Sequence, residues 1–173
     1  MQRIVLTGGP GAGKTSTLDV LRKQGYATGD DAARSIIRER KRAGLPPRPD
    51  ALTFAQQVFE KEVKTYHSLN SSPSFFERGI VEAVGSLFGA GAVNEKDVNR
   101  LLRDYRYQAV FIFPPWEEIY CMDDERDHTF DHSIMVYEST LGFYRQHKYE
   151  PIEVPVGAAR NRADFILDHV CEF

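Results

Sequence analysis

Apolar residues fall along the chain in five short runs separated by longer stretches of helical period. The runs lie at residues 3–6, 26–28, 74–76, 109–113 and 152–154. They are brief and rich in β-branched and aromatic residues, as strands buried on both faces are. Between them the period changes. Residues 16–23 suit a helix, with Arg22 and Lys23 in its last turn and Gly25 beyond it. A second helix opens at Asp30-Asp31 and carries Ala33, Ile36 and Ile37 inward to about residue 43, where Gly44 ends it. Three prolines make residues 45–49 a loop. Asp50 is placed to cap the next helix, in which Leu52, Ala55, Phe59, Val63 and Tyr66 recur at helical spacing. Further helices are predicted to about residue 88, over 95–105 with Val98, Leu101, Leu102 and Tyr105 inward, and over 133–146 with Ile134, Tyr137, Leu141 and Tyr144 on one face. The last follows a loop at 156–161 and runs close to residue 173. Residues 116–131 show neither period and are rich in acid, which predicts a mobile segment.

Strands that alternate with helices from end to end predict an α/β fold. It has about five parallel strands, helices on both faces, and a single domain over residues 1–173. In such sheets ligands bind at the carboxyl ends of the strands. The first strand end carries Gly8-Gly9-Pro10-Gly11-Ala12-Gly13-Lys14-Thr15, a G-x-x-x-x-G-K-T run between a strand and a helix. Its successive N–H groups form an anion nest, and the helix N-terminus adds its positive end. Lys14 would reach the β- and γ-phosphates and Thr15 would hold Mg²⁺. Residues Gly8, Gly9, Pro10, Gly11, Ala12, Gly13, Lys14, Thr15 and Ser16 are therefore the candidate nucleotide-binding set, which makes the predicted architecture a three-layer P-loop fold.

Composition narrows the class. The chain has 173 residues, 42% of them hydrophobic and 27% charged. That is enough for one real core. A net charge of −3 supplies no global field for nucleic acid or an anionic membrane, and no apolar run is long enough to span a bilayer. The first residues lead straight into a strand with no signal-peptide layout. With only two cysteines, at 121 and 171, the expectation is a cytoplasmic protein with reduced thiols.

The other strand ends add charge. Asp30, Asp31 and Arg34 follow the second run, and Glu77 and Arg78 follow the third. Pro114, Pro115 and the acidic segment with Arg126 follow the fourth, and residues 157–162 follow the fifth. Caps and solvated loops favour the same residue types, but acid at two strand ends beside a P-loop points to a shared crevice.

Six stretches together resemble one family. They are G-G-P-G-A-G-K-T, D-A-A-R, F-F-E-R-G, P-P-W-E-E-I-Y, D-E-R-D-H-T-F and R-A-D-F-I-L. The family comprises small bacterial P-loop proteins labelled AAA family ATPase or kinase, related to the ribosylnicotinamide-kinase domain of the NadR type and more distantly to thymidylate and deoxynucleoside kinases. The resemblance implies ATP- and Mg²⁺-dependent phosphoryl transfer to a small-molecule acceptor, a nucleoside, nucleotide or nucleoside-like vitamin. It implies that Asp31 is the base on the acceptor hydroxyl, although neighbouring Asp30 competes for the assignment and relatives usually carry Glu there. It further implies that Glu77 reaches Mg²⁺ through water, and that Arg78 binds phosphate or acceptor with Arg34 on the same side. Residues 116–131 become a lid whose Arg126 meets the transferred phosphoryl group, and residues 156–161 hold the adenine.

Fainter signals have plainer readings. His128 and His132 share a spacing that can bind zinc, but no third ligand is placed by the sequence. The run of residues 38–42 with Arg48 suits a solvated helix face better than a substrate site. Trp116 fits a stacking platform and a core plug equally well, and Gln56 and Gln57 carry only a chance suggestion of base reading. The competing function is a nucleotide-binding switch or NTPase with slow hydrolysis and a protein partner. Acid after the second strand favours the kinase, because a switch needs no acceptor base.

Overall fold

The computed structural model describes residues 1–120 and 129–171. Five parallel strands form one sheet in the order β2-β3-β1-β4-β5. They are β1 (Arg3–Gly8), β2 (Ala27–Gly29), β3 (Ser74–Glu77), β4 (Ala109–Phe113) and β5 (Ile152–Glu153). The helices are α1 (Lys14–Lys23), α2 (Ala32–Arg42), α3 (Ala51–Ser68), α4 (Ile80–Gly89), α5 (Glu95–Asp104), α6 (Phe130–Gln146) and α7 (Ala159–Val170).

The central strand explains both faces. Along β1, Ile4 and Leu6 enter one core cluster and Val5 the other, because successive side chains of a strand point to opposite faces. The first cluster joins them to Leu18 and Leu21 of α1, Phe111 of β4, and Ala163 and Ile166 of α7. The second joins Val5 to Tyr66 of α3, Ile80 and Val84 of α4, Val98 and Leu102 of α5, and Tyr144 of α6. Strands buried on both faces lose the alternating polar pattern, which is why they read as unbroken apolar runs.

Register places the functional ends together. Leu6 of β1 is level with Glu77 of β3, and Gly8 with Phe113 of β4. The P-loop, the Glu77-Arg78 corner and the Pro114-Pro115 turn therefore leave the sheet together at its carboxyl end.

Most element boundaries shift by a residue or two from the sequence expectation, and caps explain the shifts. Helix α1 begins at Lys14 because Gly13, in the left-handed region at φ 85°, turns the chain directly into it. Asp31 is the N-cap of α2, its side chain accepting from the Arg34 N–H, so Asp30 lies outside the helix. Thr129 caps α6 by accepting from the His132 N–H, which starts that helix at Phe130 rather than Ser133. Within the expected segment at 116–131, residues 117–119 form a single 3₁₀ turn, and Arg126 lies outside the described residues. No helix among the described residues is long and apolar enough to cross a membrane.

Candidate active site

The strand ends open into a crevice of about 1260 Å³. Its walls bring together the P-loop residues Gly13, Lys14 and Thr15, the carboxylates Asp31, Glu62, Glu77 and Glu82, and Arg34, Arg78, Trp116 and Arg162.

Lys14 stands at the start of α1 and is buried. Its Nζ donates to the carbonyl oxygens of Gly8 at 3.0 Å and Gly9 at 2.7 Å, so the ammonium folds back over its own loop. Burial lowers its pKa to about 8; the Arg78 guanidinium adds to this, while Glu77 pulls the other way. The next residue, Thr15, donates through Oγ1 to both carboxylate oxygens of Glu77, at 2.8 and 3.0 Å. Glu77 is buried at the end of β3, and burial pushes its carboxyl up against the opposing pull of Lys14. A hydroxyl and a carboxylate side by side at a P-loop are hard oxygen donors of the kind Mg²⁺ takes.

Asp31 and Asp30 part company. Asp30 is exposed and pairs with Arg22 of α1. Asp31 is only 7% exposed and lines the crevice. Its Oδ1 accepts from the Arg34 N–H at 3.0 Å, and its Oδ2 lies 3.3 Å from Nε of Arg78. Arg78 reaches onward to Oε2 of Glu82 at 2.5 Å. The Arg78 backbone sits at φ 62°. This left-handed conformation costs a non-glycine residue about 1–2 kcal/mol. Burial works against the Arg78 charge, but the Glu82 and Asp31 carboxylates outweigh it and push its pKa up. Glu82 also accepts from the Thr7 hydroxyl, and its Oε1 takes a longer bond of 3.4 Å from the Tyr144 hydroxyl. One chain of polar contacts thus links β1, α4, the end of β3 and the cap of α2.

Three site residues had no role assigned from the sequence. Glu82 and Glu62 sit inside apolar helical stripes, and a carboxylate at a stripe position is itself the signal that locates them. Arg162 of α7 closes the crevice beneath the loop. It is 5% exposed, donates through Nη1 to the Ala12 carbonyl at 3.0 Å, and lies 5.6 Å from the ring centres of both Phe113 and Trp116. A Cβ on Gly13 would collide with this guanidinium. Arg162→Ala is expected to leave the Ala12 carbonyl unpaired, cost about 1.5–3 kcal/mol of stability, and weaken nucleotide binding by loosening the loop. Thermal melting and a nucleotide titration measure the two effects, and wild-type values for both would show that the Arg162 bond to the Ala12 carbonyl has no function.

The remaining candidates are dispersed. Trp116 is half-buried on the crevice wall against Arg162, and His132 lines the same wall while His128 lies outside the described residues. Arg48 also lines it, from the exposed loop before α3. Arg38 and Arg42 face solvent. Gln57 belongs to a separate hollow of about 420 Å³ between α2 and α3, and Gln56 is exposed.

A parallel sheet in this order, with a P-loop joining its central strand to α1, defines a P-loop nucleotide-binding protein. The chain belongs to the AAA domain family, whose model matches residues 3–162. Its structure is similar to that of deoxyadenosine kinase from M. mycoides with bound dATP, at 12% identity and a TM-score of 0.63, covering 99% of this chain and 100% of that one. The same kinase with the products dCMP and a flexible dCDP bound gives 14% identity and a TM-score of 0.57, over 99% and 100% of the two chains. The NadR protein in complex with NAD and AMP-PNP is similar at 11% identity and a TM-score of 0.64, over 98% of this chain and 49% of that one. At these identities the likeness is one of fold. No curated protein matches the sequence.

Proposed function

We propose that the protein transfers the γ-phosphoryl group of ATP to a hydroxyl or phosphate of a small metabolite of the nucleoside, nucleotide or nucleoside-like vitamin class. The observation that carries this reading is Asp31: a carboxylate beyond the phosphate loop, turned into the same crevice as Lys14 and oriented by Arg78 and the Arg34 N–H. A protein that only switches on bound nucleotide needs no base for an acceptor hydroxyl. The fold shared with a deoxyadenosine kinase and with NadR supports the same class.

In this reading the acceptor oxygen attacks the γ-phosphorus as the bond to the β,γ-bridging oxygen breaks, and ADP leaves. For a hydroxyl acceptor the proton passes to Asp31. Its two oxygens already hold the Arg34 N–H and Arg78, and each keeps a lone pair. Lys14 exchanges the Gly8 and Gly9 carbonyls for phosphate oxygens, and Arg78 and Arg34 orient the acceptor. The segment of about residues 116–131 is read as the lid, and Arg126, which lies outside the described residues, is read as the arginine for the transferred group. Bound Mg²⁺ would neutralise charge on the phosphate oxygens, held by Thr15 directly and by Glu77 through water.

An acceptor-dependent ADP-release screen over nucleosides, nucleotides and related vitamins tests the proposal. Release that no acceptor stimulates would replace it with the switch reading. Glu77→Gln should raise the Mg²⁺ concentration for half-maximal activity more than it raises the apparent ATP constant. If both stay at wild-type values, Glu77 serves only to anchor Thr15.

A further inference from the structure

Helix α3 lays Phe54, Ala55 and Val58 along the crevice wall, and one turn further on the same wall carries Glu62. This carboxyl is 3% exposed. Among the described residues no side chain donates a hydrogen bond to it, and the Ala32 backbone N–H pulls its pKa down against the burial. Asp31 faces it from the cap of α2, Arg78 from the end of β3, Glu82 from α4 and Tyr107 from the turn before β4. Burial, then the Asp31 and Glu82 charges, pushes its pKa up to about 8, which favours the neutral carboxyl. An acid in such a place costs stability, and an apolar residue of similar volume would pack as well. Stability does not explain an acid at this point of the crevice wall. A neutral carboxyl both donates and accepts, which is the pairing an alcohol needs.

The charge balance at the crevice floor narrows the ligand. The reacting end of an acceptor must lie beside Lys14 and Asp31. Lys14 is taken by the phosphates of ATP in this reading, and Arg78, the cation beside Asp31, is already committed to Asp31 at 3.3 Å and Glu82 at 2.5 Å. A phosphate arriving at this point would meet the two carboxylates and would have to take Arg78 from both, whereas a hydroxyl needs no counter-charge. Arg34 lines the wall from α2, and Arg48 lines it from the exposed loop before α3.

We propose that Glu62 is a specificity-determining residue of the acceptor site, that its carboxyl binds a second hydroxyl of the acceptor, and that the acceptor is an unphosphorylated polyhydroxy compound of the nucleoside class. This rests on the phosphoryl-transfer reading above. The buried position of Glu62 on an apolar face fixes where that hydroxyl must sit, while Asp31 takes the reacting one.

The test measures ADP release by the full chain with ribonucleosides, their 2′- and 3′-deoxy counterparts and their 5′-monophosphates. Nucleosides should be turned over and monophosphates should not. One deoxy series should lose at least about tenfold in kcat/KM, because a site built to bond a hydroxyl rejects the analogue without it. Glu62→Ala should raise the acceptor KM about tenfold or more, leave the ATP KM within about twofold, and abolish the discrimination between hydroxylated and deoxy acceptors. Glu62→Gln, which can still donate and accept, should keep most of it. If melting shows that Glu62→Ala does not fold, Glu62→Met fills the volume and carries the same expectation. Discrimination that survives loss of the carboxyl overturns the proposal. Preference for monophosphates overturns it while leaving phosphoryl transfer standing. Absence of turnover with every member of the panel overturns it as well, and phosphoryl transfer falls with it only if the wider screen that includes related vitamins also finds no acceptor.

Discussion

A Lys14→Ala protein is expected to melt close to the wild-type temperature, to bind ATP at least about tenfold more weakly, and to lose about 10²–10³ or more in turnover. The unusual part of this expectation is the unchanged stability. Lys14 makes two hydrogen bonds, to the Gly8 and Gly9 carbonyls, and their loss costs something. Its ammonium is also buried, and that burial depresses its pKa, so the charge is held at a cost that the alanine removes. The two effects oppose each other in the free protein. With nucleotide bound only the loss remains, because the ammonium would then face phosphate. Titration with a fluorescent ATP analogue beside a melting curve separates the two. Wild-type affinity in a folded Lys14→Ala protein would mean that Lys14 never leaves its own loop.

Asp31→Asn is expected to lower the transfer rate by about 10²–10⁴ while leaving ATP affinity within a few-fold of wild type. Asparagine is as good a helix cap as aspartate, so the bond from the Arg34 N–H and the start of α2 survive the change. What it removes is the ability to take a proton and one of the two charges that hold Arg78. Asp30→Asn is the matched control. Asp30 is exposed and tied to Arg22, so its loss should move neither parameter. If the two neighbours give the reverse result, the base has been assigned to the wrong residue. If neither variant slows an acceptor-dependent reaction, the acid after β2 is only a cap. The assay needs a competent acceptor, so the screen precedes it.

What could be read from the sequence was local in the chain. The P-loop is eight consecutive residues bracketed by a strand and a helix, and each strand is short enough to show as one apolar run. The order of the strands and the burial of particular side chains depend on contacts between distant segments. Asp30 and Asp31 are alike in sequence; they separate because the α2 cap needs one of them and Arg22 reaches the other. Glu62 is visible in the sequence only as a polar interruption in the stripe of Ala55, Phe59, Val63 and Tyr66, and its neighbours Asp31, Arg78 and Glu82 come from three other elements. Arg162 lies 150 residues from the Ala12 carbonyl it holds, so no spacing rule connects them. The apolar pattern carries β5 to Val154, yet the strand closes at Glu153, with the Val154 N–H still bonded to the Ile112 carbonyl at 2.9 Å.

The voids left by the P-loop glycines tie the evolution of this loop to that of remote helices. The space a side chain at Gly9 would occupy is taken by the Ser133 carbonyl of α6, and the space at Gly13 by the Arg162 guanidinium of α7. Backbone cannot be exchanged for something smaller, so position 9 is closed to any larger residue while α6 keeps its path. Position 13 is also held by its left-handed backbone, so shrinking residue 162 would empty the space without opening the position to other residues. Removing the Arg162 guanidinium therefore leaves a space beside the loop that a side chain at position 13 fills only at the cost of backbone strain.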